Sequence, residues 1–298
     1  MPAEETMQAR TVATALEQII HYDNSGFVPL HVAGERIGCV NQQWLQRLVD
    51  AHGQLFALRD GVLHGLEGCT DFANRSAQLG IAAQAWRDAG WLNGWRNEKF
   101  MAYLQDGTPC FELERAAFRP LGLTSRAVHL NGLTRMPDGE IRMWIGKRSP
   151  FKDVAPNRLD NLMGGGIAAG ETVQIALERE GWEEAGIPAG KLELLPQRAL
   201  LLAERPVLRG LHREWLYVFD LWLSPSEIPQ NQDGEVEAHI LVPLAEVEQH
   251  IINGQFMSDA ALVAIDCLAR LGYWSSAPEL EQLLTQVRTV IGSDVAIR

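Results

Sequence analysis

The sequence has few features that would indicate a metal-thiolate site, a disulfide framework or a membrane segment. Its four cysteines stand far apart in 298 residues and form no CxxC pair, so neither zinc binding nor disulfides are indicated. No run of about 18 apolar residues occurs, which is the length that a spanning helix needs. The first ten residues carry two glutamates and no apolar stretch. We therefore expect a cytoplasmic protein with no membrane partner.

Positive charge is also scarce. The chain has 26 lysines and arginines against 38 aspartates and glutamates, a formal net charge of −12 with histidine neutral. Nucleic acids are held largely by basic patches, so this balance argues against a nucleic-acid partner. No HExxH or GxSxG motif occurs. With 46% hydrophobic and 21% charged residues, the composition is that of a globular protein, and a small-molecule enzyme fits best.

The charge is unevenly distributed along the chain. Residues 121–160 contain seven basic and four acidic side chains, whereas residues 161–190 contain five acidic side chains and one basic. A basic segment therefore lies directly before an acidic one. Guanidinium and ammonium groups in the basic segment can hold phosphate oxygens, and the candidates are Arg148, Lys152 and Arg158.

The chain divides into three predicted parts. Residues 1–120 suggest a small α+β domain, with helices over 7–22 and 73–89 and a hairpin at Asp60-Gly61, a dipeptide that is a strong hairpin signal. Residues 121–275 alternate strands and helices, with a glycine loop at 164–166 and a helix from about Thr172 to Ala185 that Gly186 ends. A C-terminal helix is expected within 276–298.

The segment from Gly165 to Ile187, GGIAAGETVQIALEREGWEEAGI, resembles the Nudix box. Eight of the nine defined positions of that motif match, and the departure is Gly181, where the family has an aliphatic residue. With the flanking strands, the resemblance extends over about residues 125–272. It implies an α/β fold, the Nudix α/β/α sandwich, preceded here by the small N-terminal domain.

Three glutamates of the box share one face of the predicted helix. Glu180, Glu183 and Glu184 stand at i, i+3 and i+4, so their carboxylates lie within reach of each other. Grouped hard oxygen ligands suit Mg²⁺ or Mn²⁺, and such an ion activates water for attack on a diphosphate. The resemblance makes these glutamates metal ligands, with the carbonyl of Gly164 or Gly165 completing the set. It also gives Arg179 the role of orienting the glutamates and Glu171 that of bracing the loop.

The general base is less well defined by the sequence. In Nudix enzymes it comes from the box or from a later loop, and the loop NQDGEVE offers two candidates, Glu235 and Glu237. The sequence alone allows the general base to come from either the box or this loop.

A second resemblance lies outside the box. The segments GWRNE, ERAAF and VHLNG look like the N-terminal extension of the thiamine pyrophosphokinase-associated Nudix proteins. That resemblance implies hydrolysis of thiamine diphosphate, or of its oxidised and damaged analogues, to the monophosphate and phosphate. The alternatives are a hydrolase of nucleoside diphosphate derivatives, a non-catalytic Nudix ligand-binding module and, with less support, an isoprenoid diphosphate isomerase. Two roles are open for the N-terminal domain: capping the cleft or building a homodimer.

Overall fold

The computed structural model describes residues 2–152 and 154–289, with side chains from Met7 onward. Within these ranges, no helix combines the length and apolar character needed to cross a bilayer. The predicted C-terminal helix is present as Pro278–Val287. The last part of that predicted segment, 290–298, lies outside the described residues.

The N-terminal region is built from one small mixed sheet, one antiparallel strand pair and three α-helices. The strands β1 to β4 form one sheet in the order β2-β1-β4-β3, while β5 and β6 pair separately. Asp60 and Gly61, with φ of 49° and 76°, form the predicted turn between β3 and β4. The elements are α1 (Pro2–Ile20), β1 (Phe27–Val32), β2 (Glu35–Asn41), α2 (Gln42–His52), β3 (Phe56–Arg59), β4 (Val62–Gly65), α3 (Phe72–Asp88), β5 (Lys99–Tyr103) and β6 (Pro109–Glu114).

The second region is organised around one mixed sheet. Its main path runs β11-β12-β7-β8-β13, with β10 added to β7 and β9 to β8, and β7 runs parallel to β12. The elements are β7 (Thr124–Arg135), β8 (Ile141–Arg148), β9 (Leu159–Asp160), β10 (Met163–Gly166), α4 (Val173–Ala185), β11 (Gln197–Val207), β12 (Gly210–Trp222), β13 (Val236–Pro243), α5 (Leu244–Ile252), α6 (Ser258–Arg270) and α7 (Pro278–Val287).

Strand β7 shows how the sheet separates two cores. Successive side chains of a strand point to opposite faces. Ala127 and Leu133 belong to a core that α5, α6 and α7 cover, whereas Val128 and Leu130 belong to a core that α4 covers. Helices therefore lie on both faces of the sheet, which confirms the predicted α/β/α sandwich.

Helix α1 packs against the second region, although it comes first in the chain. Ala9, Val12 and Leu16 share a core with Leu262 of α6 and Leu284 of α7. The rest of the N-terminal region has its own core, which includes Trp86 and Phe111. The domain boundary near residue 120 stays a prediction, and α1 joins the two parts in space.

The N-terminal region is attached to the sheet by close backbone contacts. The Cys39 amide donates to the Leu121 carbonyl at 3.1 Å, and the Leu211 amide donates to the Arg119 carbonyl at 3.0 Å. A Cβ added at Gly210 would lie 2.1 Å from the Arg119 oxygen, so only glycine fits. The position of Arg119 relative to β12 is therefore fixed by backbone.

We expect Gly210→Ala to destabilise the protein by roughly 2 kcal/mol or more, because it adds both a backbone collision and strain at a φ of 141°. Urea unfolding followed by circular dichroism measures this change. Gly139→Ala is the matched control, since Gly139 also has a positive φ, 91°, but a Cβ added there would have no atom within 4 Å. Equal losses in the two variants would show that the close approach contributes nothing.

Candidate active site

A polar cavity of about 240 Å³ lies where β10, α4 and the N-terminal region meet. Both regions contribute charged side chains to its wall. The N-terminal region supplies three arginines and Glu98, while the second region supplies the box carboxylates and the loop before β13. The main charged lining residues are Arg96, Glu98, Arg115, Arg119, Arg148, Lys152, Arg179, Glu180, Glu183, Glu184, Glu214, Asp233, Glu235 and Asp259.

The three glycines predicted as a loop belong instead to strand β10, which pairs with β7. A Cβ on Gly165 would lie 1.9 Å from the carboxyl carbon of Glu180, and one on Gly166 would lie 2.6 Å from the Phe100 ring. The loop prediction was wrong because glycine was taken as a turn signal. In β10 the absence of a glycine side chain lets Glu180 and Phe100 pack directly against the strand backbone.

Helix α4 places the box glutamates along the cavity. The Thr172 hydroxyl caps its first turn by accepting from the Ile175 amide at 3.2 Å, and Gly186 ends it in the left-handed conformation with a φ of 64°, as predicted. Gly181 departs from the family motif because Leu192 packs against it. A Cβ added at Gly181 would lie 2.6 Å from Cδ1 of Leu192.

Arg179 connects the helix to the segment that precedes it. Its guanidinium donates to both carboxylate oxygens of Glu171, at 2.7 and 2.9 Å, and to the Gly166 carbonyl at 3.1 Å. It also donates to Glu180 at 2.6 Å and to Glu183 at 3.3 Å. Glu171 in turn accepts from the Ala168 amide at 2.9 Å. These contacts place Arg179 where it can orient the glutamates and Glu171 where it can brace the segment.

Glu184 is the most deeply buried of the three box glutamates. Its side chain is 4% exposed, against 13% for Glu180 and 42% for Glu183. One oxygen accepts from the Gly164 amide at 3.0 Å and the other from the Lys152 ammonium at 3.1 Å. Lys152 also pairs with Glu235.

Burial disfavours the charged form of the two inner box carboxylates. Burial, and then the nearby Glu184, raise the pKa of Glu180 to about 7, although Arg179 acts against this rise. Burial also raises the pKa of Glu184, against the opposing effect of Lys152. Buried carboxylate oxygens are hard donors, and a divalent cation would offset the cost of burying their charge. The residues present therefore fit the metal that the sequence predicted.

Of the two candidate bases, only Glu235 lines the cavity. Burial opposes its ionisation, but Lys152 and Arg96, the latter at 3.3 Å, outweigh burial and lower its pKa. Glu237 lies on β13, pairs with Lys147 at 2.9 Å and is not among the cavity-lining residues described. The structure thus brings Glu235 to the site and leaves Glu237 outside it.

The three predicted phosphate-binding residues lie in different places. Lys152 lies between Glu184 and Glu235 in the cavity. Arg148 lines the cavity, but it is buried and donates to Asp160 at 2.6 Å and to the Val154 carbonyl at 2.9 Å. Arg158 donates to the Gly254 carbonyl and lines a separate cavity. The structure does not bring Arg158 to the site.

Several residues that line the cavity were not predicted from the sequence. Arg119, Glu214 and Asp259 come from distant segments with no motif or spacing that would join them, and Arg96 lies in GWRNE, a segment noted for its resemblance but not for a site role. Glu214 and Asp259 also form, with His212, a group whose ligand atoms lie within 4.8 Å of one another. Arg205 pairs with Asp259 at both carboxylate oxygens.

The sandwich fold and the buried glutamates of α4 define the architecture of a Nudix enzyme, and the comparisons agree. The NUDIX domain model matches residues 126–260, and a domain of unknown function, DUF4743, matches residues 8–125. Nudix hydrolase 20, chloroplastic, of Arabidopsis thaliana is 30% identical over 83% of this chain and 68% of its own length. The chain therefore belongs to the Nudix hydrolase family.

Two further comparisons are more limited. Nudix hydrolase 24, chloroplastic, also from Arabidopsis thaliana, is 36% identical over 61% of this chain, which spans only half of that relative's length. The Nudix domain of Shewanella oneidensis NrtR, in a cocrystal structure with ADP ribose, is 17% identical over 49% of this chain and 87% of its own, with a TM-score of 0.40. Because both plant relatives are named chloroplastic, the cytoplasmic location stays a prediction.

Proposed function

We propose that this chain is a metal-dependent hydrolase of small organic diphosphates, with thiamine diphosphate or its oxidised analogues as the leading substrates. The observation that carries the reaction type is the pair of buried carboxylates, Glu180 and Glu184, in a cavity that also holds basic side chains. The thiamine part of the proposal is supported by the GWRNE, ERAAF and VHLNG resemblance.

We assign the metal to Glu180, Glu183 and Glu184, with the Gly164 carbonyl as a further ligand, and Mg²⁺ or Mn²⁺ as the ion. When bound, the ion would polarise a phosphoryl oxygen and lower the pKa of a water molecule. Arg179 holds Glu180 and Glu183 in position through its hydrogen bonds. It is a positioning residue in this scheme.

Glu235 is the proposed general base. Lys152 and Arg96 lower its pKa, so the carboxylate is ionised at neutral pH, although the same shift makes it a weaker base. Lys152 is the proposed phosphate contact on this side of the cavity. Arg148 acts indirectly, because its bonds to Asp160 and Val154 hold the segment that carries Lys152. Arg158 has no role in this scheme.

The test is a phosphate-release assay on the full chain with Mg²⁺, with Mn²⁺ and with EDTA. The substrates are thiamine diphosphate, its oxidised analogues, ADP-ribose and nucleoside diphosphates, and the products are separated by chromatography. We expect metal-dependent release of phosphate and a thiamine-type monophosphate. Turnover in EDTA, or no turnover of any diphosphate, would contradict the reaction type. If only ADP-ribose or the nucleoside diphosphates are hydrolysed, the substrate is a nucleoside diphosphate derivative and the thiamine part of the proposal is wrong.

A further inference from the structure

We propose that Arg119, a residue of the N-terminal region, binds a phosphate group of the diphosphate substrate inside the catalytic cavity. This inference rests on the proposed function and deepens it, since it assigns the N-terminal region a part in substrate binding. It also favours the first of the two roles left open for that region, that of closing the cleft.

The backbone around Arg119 is held in one position. Its carbonyl accepts from the amides of Gly122, at 3.1 Å, and Leu211, at 3.0 Å. Gly210 leaves no room for a side chain between that carbonyl and the start of β12. The Arg119 side chain therefore starts from a fixed point and lines the same cavity as Glu180 and Glu184.

Three neighbouring arginines are bonded to carboxylates, whereas the Arg119 guanidinium is not bonded to any carboxylate in the described part of the chain. Arg148 pairs with Asp160, Arg205 with Asp259 and Arg115 with Glu98. Within residues 2–152 and 154–289, no hydrogen bond or ion pair within 4.0 Å is found for the Arg119 guanidinium. The side chain is only partly exposed, and burial lowers its pKa, although the carboxylates of Glu214 and Asp259 act against this fall without bonding to the guanidinium. A desolvated cation without a partner is costly, and an anionic ligand would remove that cost.

The charge balance of the cavity explains why such a cation is needed. A diphosphate must approach three box glutamates, and their negative charges repel it. Arg179 is already bonded to Glu171 and Glu180, and Lys152, the other proposed phosphate contact, shares its charge with Glu184 and Glu235. A guanidinium without a carboxylate partner can offer its donors to phosphate oxygens in bidentate fashion. Arg119 meets this requirement from the wall that the N-terminal region contributes.

The binding test uses the full chain in EDTA, titrated with inorganic pyrophosphate in a calorimeter. We expect wild type to bind and Arg119→Gln to bind at least about tenfold more weakly, with Arg119→Lys between them. Arg142→Gln is the matched control. It removes the same charge from an arginine that bonds to Glu140 and is not among the cavity-lining residues described, so it should bind like wild type. Equal affinity of wild type and Arg119→Gln, or no binding by wild type, would overturn the proposal.

A second measurement separates ligand binding from a structural role. In the ligand-free protein, Arg119→Gln breaks no hydrogen bond or close ion pair among the described residues, so its melting temperature should stay close to that of wild type. A guanidinium that held the fold together would give a lower melting temperature, and that result would contradict the inference. Arg119→Lys keeps the charge and tests binding in a variant that should fold like wild type.

The hydrolysis assay then distinguishes the two proposals. If both hold, Arg119→Gln raises KM about tenfold or more with a smaller change in kcat. If wild type hydrolyses no diphosphate but its pyrophosphate binding depends on Arg119, the proposed function fails and the anion site stands. If wild type hydrolyses diphosphates and Arg119→Gln binds and turns over normally, only the anion site fails.

Discussion

Glu184→Gln should lower kcat/KM for the diphosphate substrate by about 10³-fold, because it removes charge from the most buried of the proposed metal ligands. A metal ion contributes several kcal/mol of transition-state stabilisation, and each 1.36 kcal/mol corresponds to a factor of ten. The amide has nearly the shape of the carboxylate and can still accept from the Gly164 amide. The loss should therefore appear as lost metal binding and activity, with the fold retained.

Phosphate release at saturating Mg²⁺ measures this effect, and circular dichroism checks the fold. Glu237→Gln is the control, since it makes the same change at an exposed carboxylate near the cavity that pairs with Lys147. We expect its activity to stay within about twofold of wild type, as for most surface substitutions. A folded Glu184→Gln variant with full activity would rule out Glu184 as a ligand of the catalytic metal.

The parts of the site that are local in sequence were predictable, and the parts that depend on tertiary contacts were not. The extent of α4 follows from its cap at Thr172 and its end at Gly186, and the carboxylate spacing follows from helix periodicity. Arg119 carries no such signal. Its place in the cavity depends on the backbone junction with Leu211, which lies about ninety residues further along the chain.

The basic segment shows the same limit. Its composition predicted phosphate contacts, but composition does not say which arginine is already used within the protein. Arg148 is bonded to Asp160, Arg158 to the Gly254 carbonyl and Lys152 to Glu184 and Glu235, so all three candidates already contact protein groups, and only Arg148 and Lys152 line the cavity. Helix α1 is a similar case, because its apolar stripe predicts burial but does not identify the core that it joins.

Gly165 lies on strand β10, directly against the side chain of Glu180. A Cβ there would lie 1.9 Å from the Glu180 carboxyl carbon. Because that group is the end of a flexible side chain, Gly165→Ala should fold with little loss of stability, but it must displace the carboxylate from its position beside the strand. We expect activity to fall by about 10²-fold or more through the loss of one proposed metal ligand.

A double-mutant cycle tests whether this loss acts through Glu180. Glu180→Ala, Gly165→Ala and the double variant are compared with wild type in the phosphate-release assay and in thermal unfolding. If the added methyl group acts by displacing Glu180, the double variant should be no less active than Glu180→Ala, because residues that act as a unit are not additive. Gly190→Ala, at a glycine with open space around it, should be unaffected. Fully additive losses would mean that Gly165 acts through the strand itself and that the carboxylate does not depend on the absence of a side chain there.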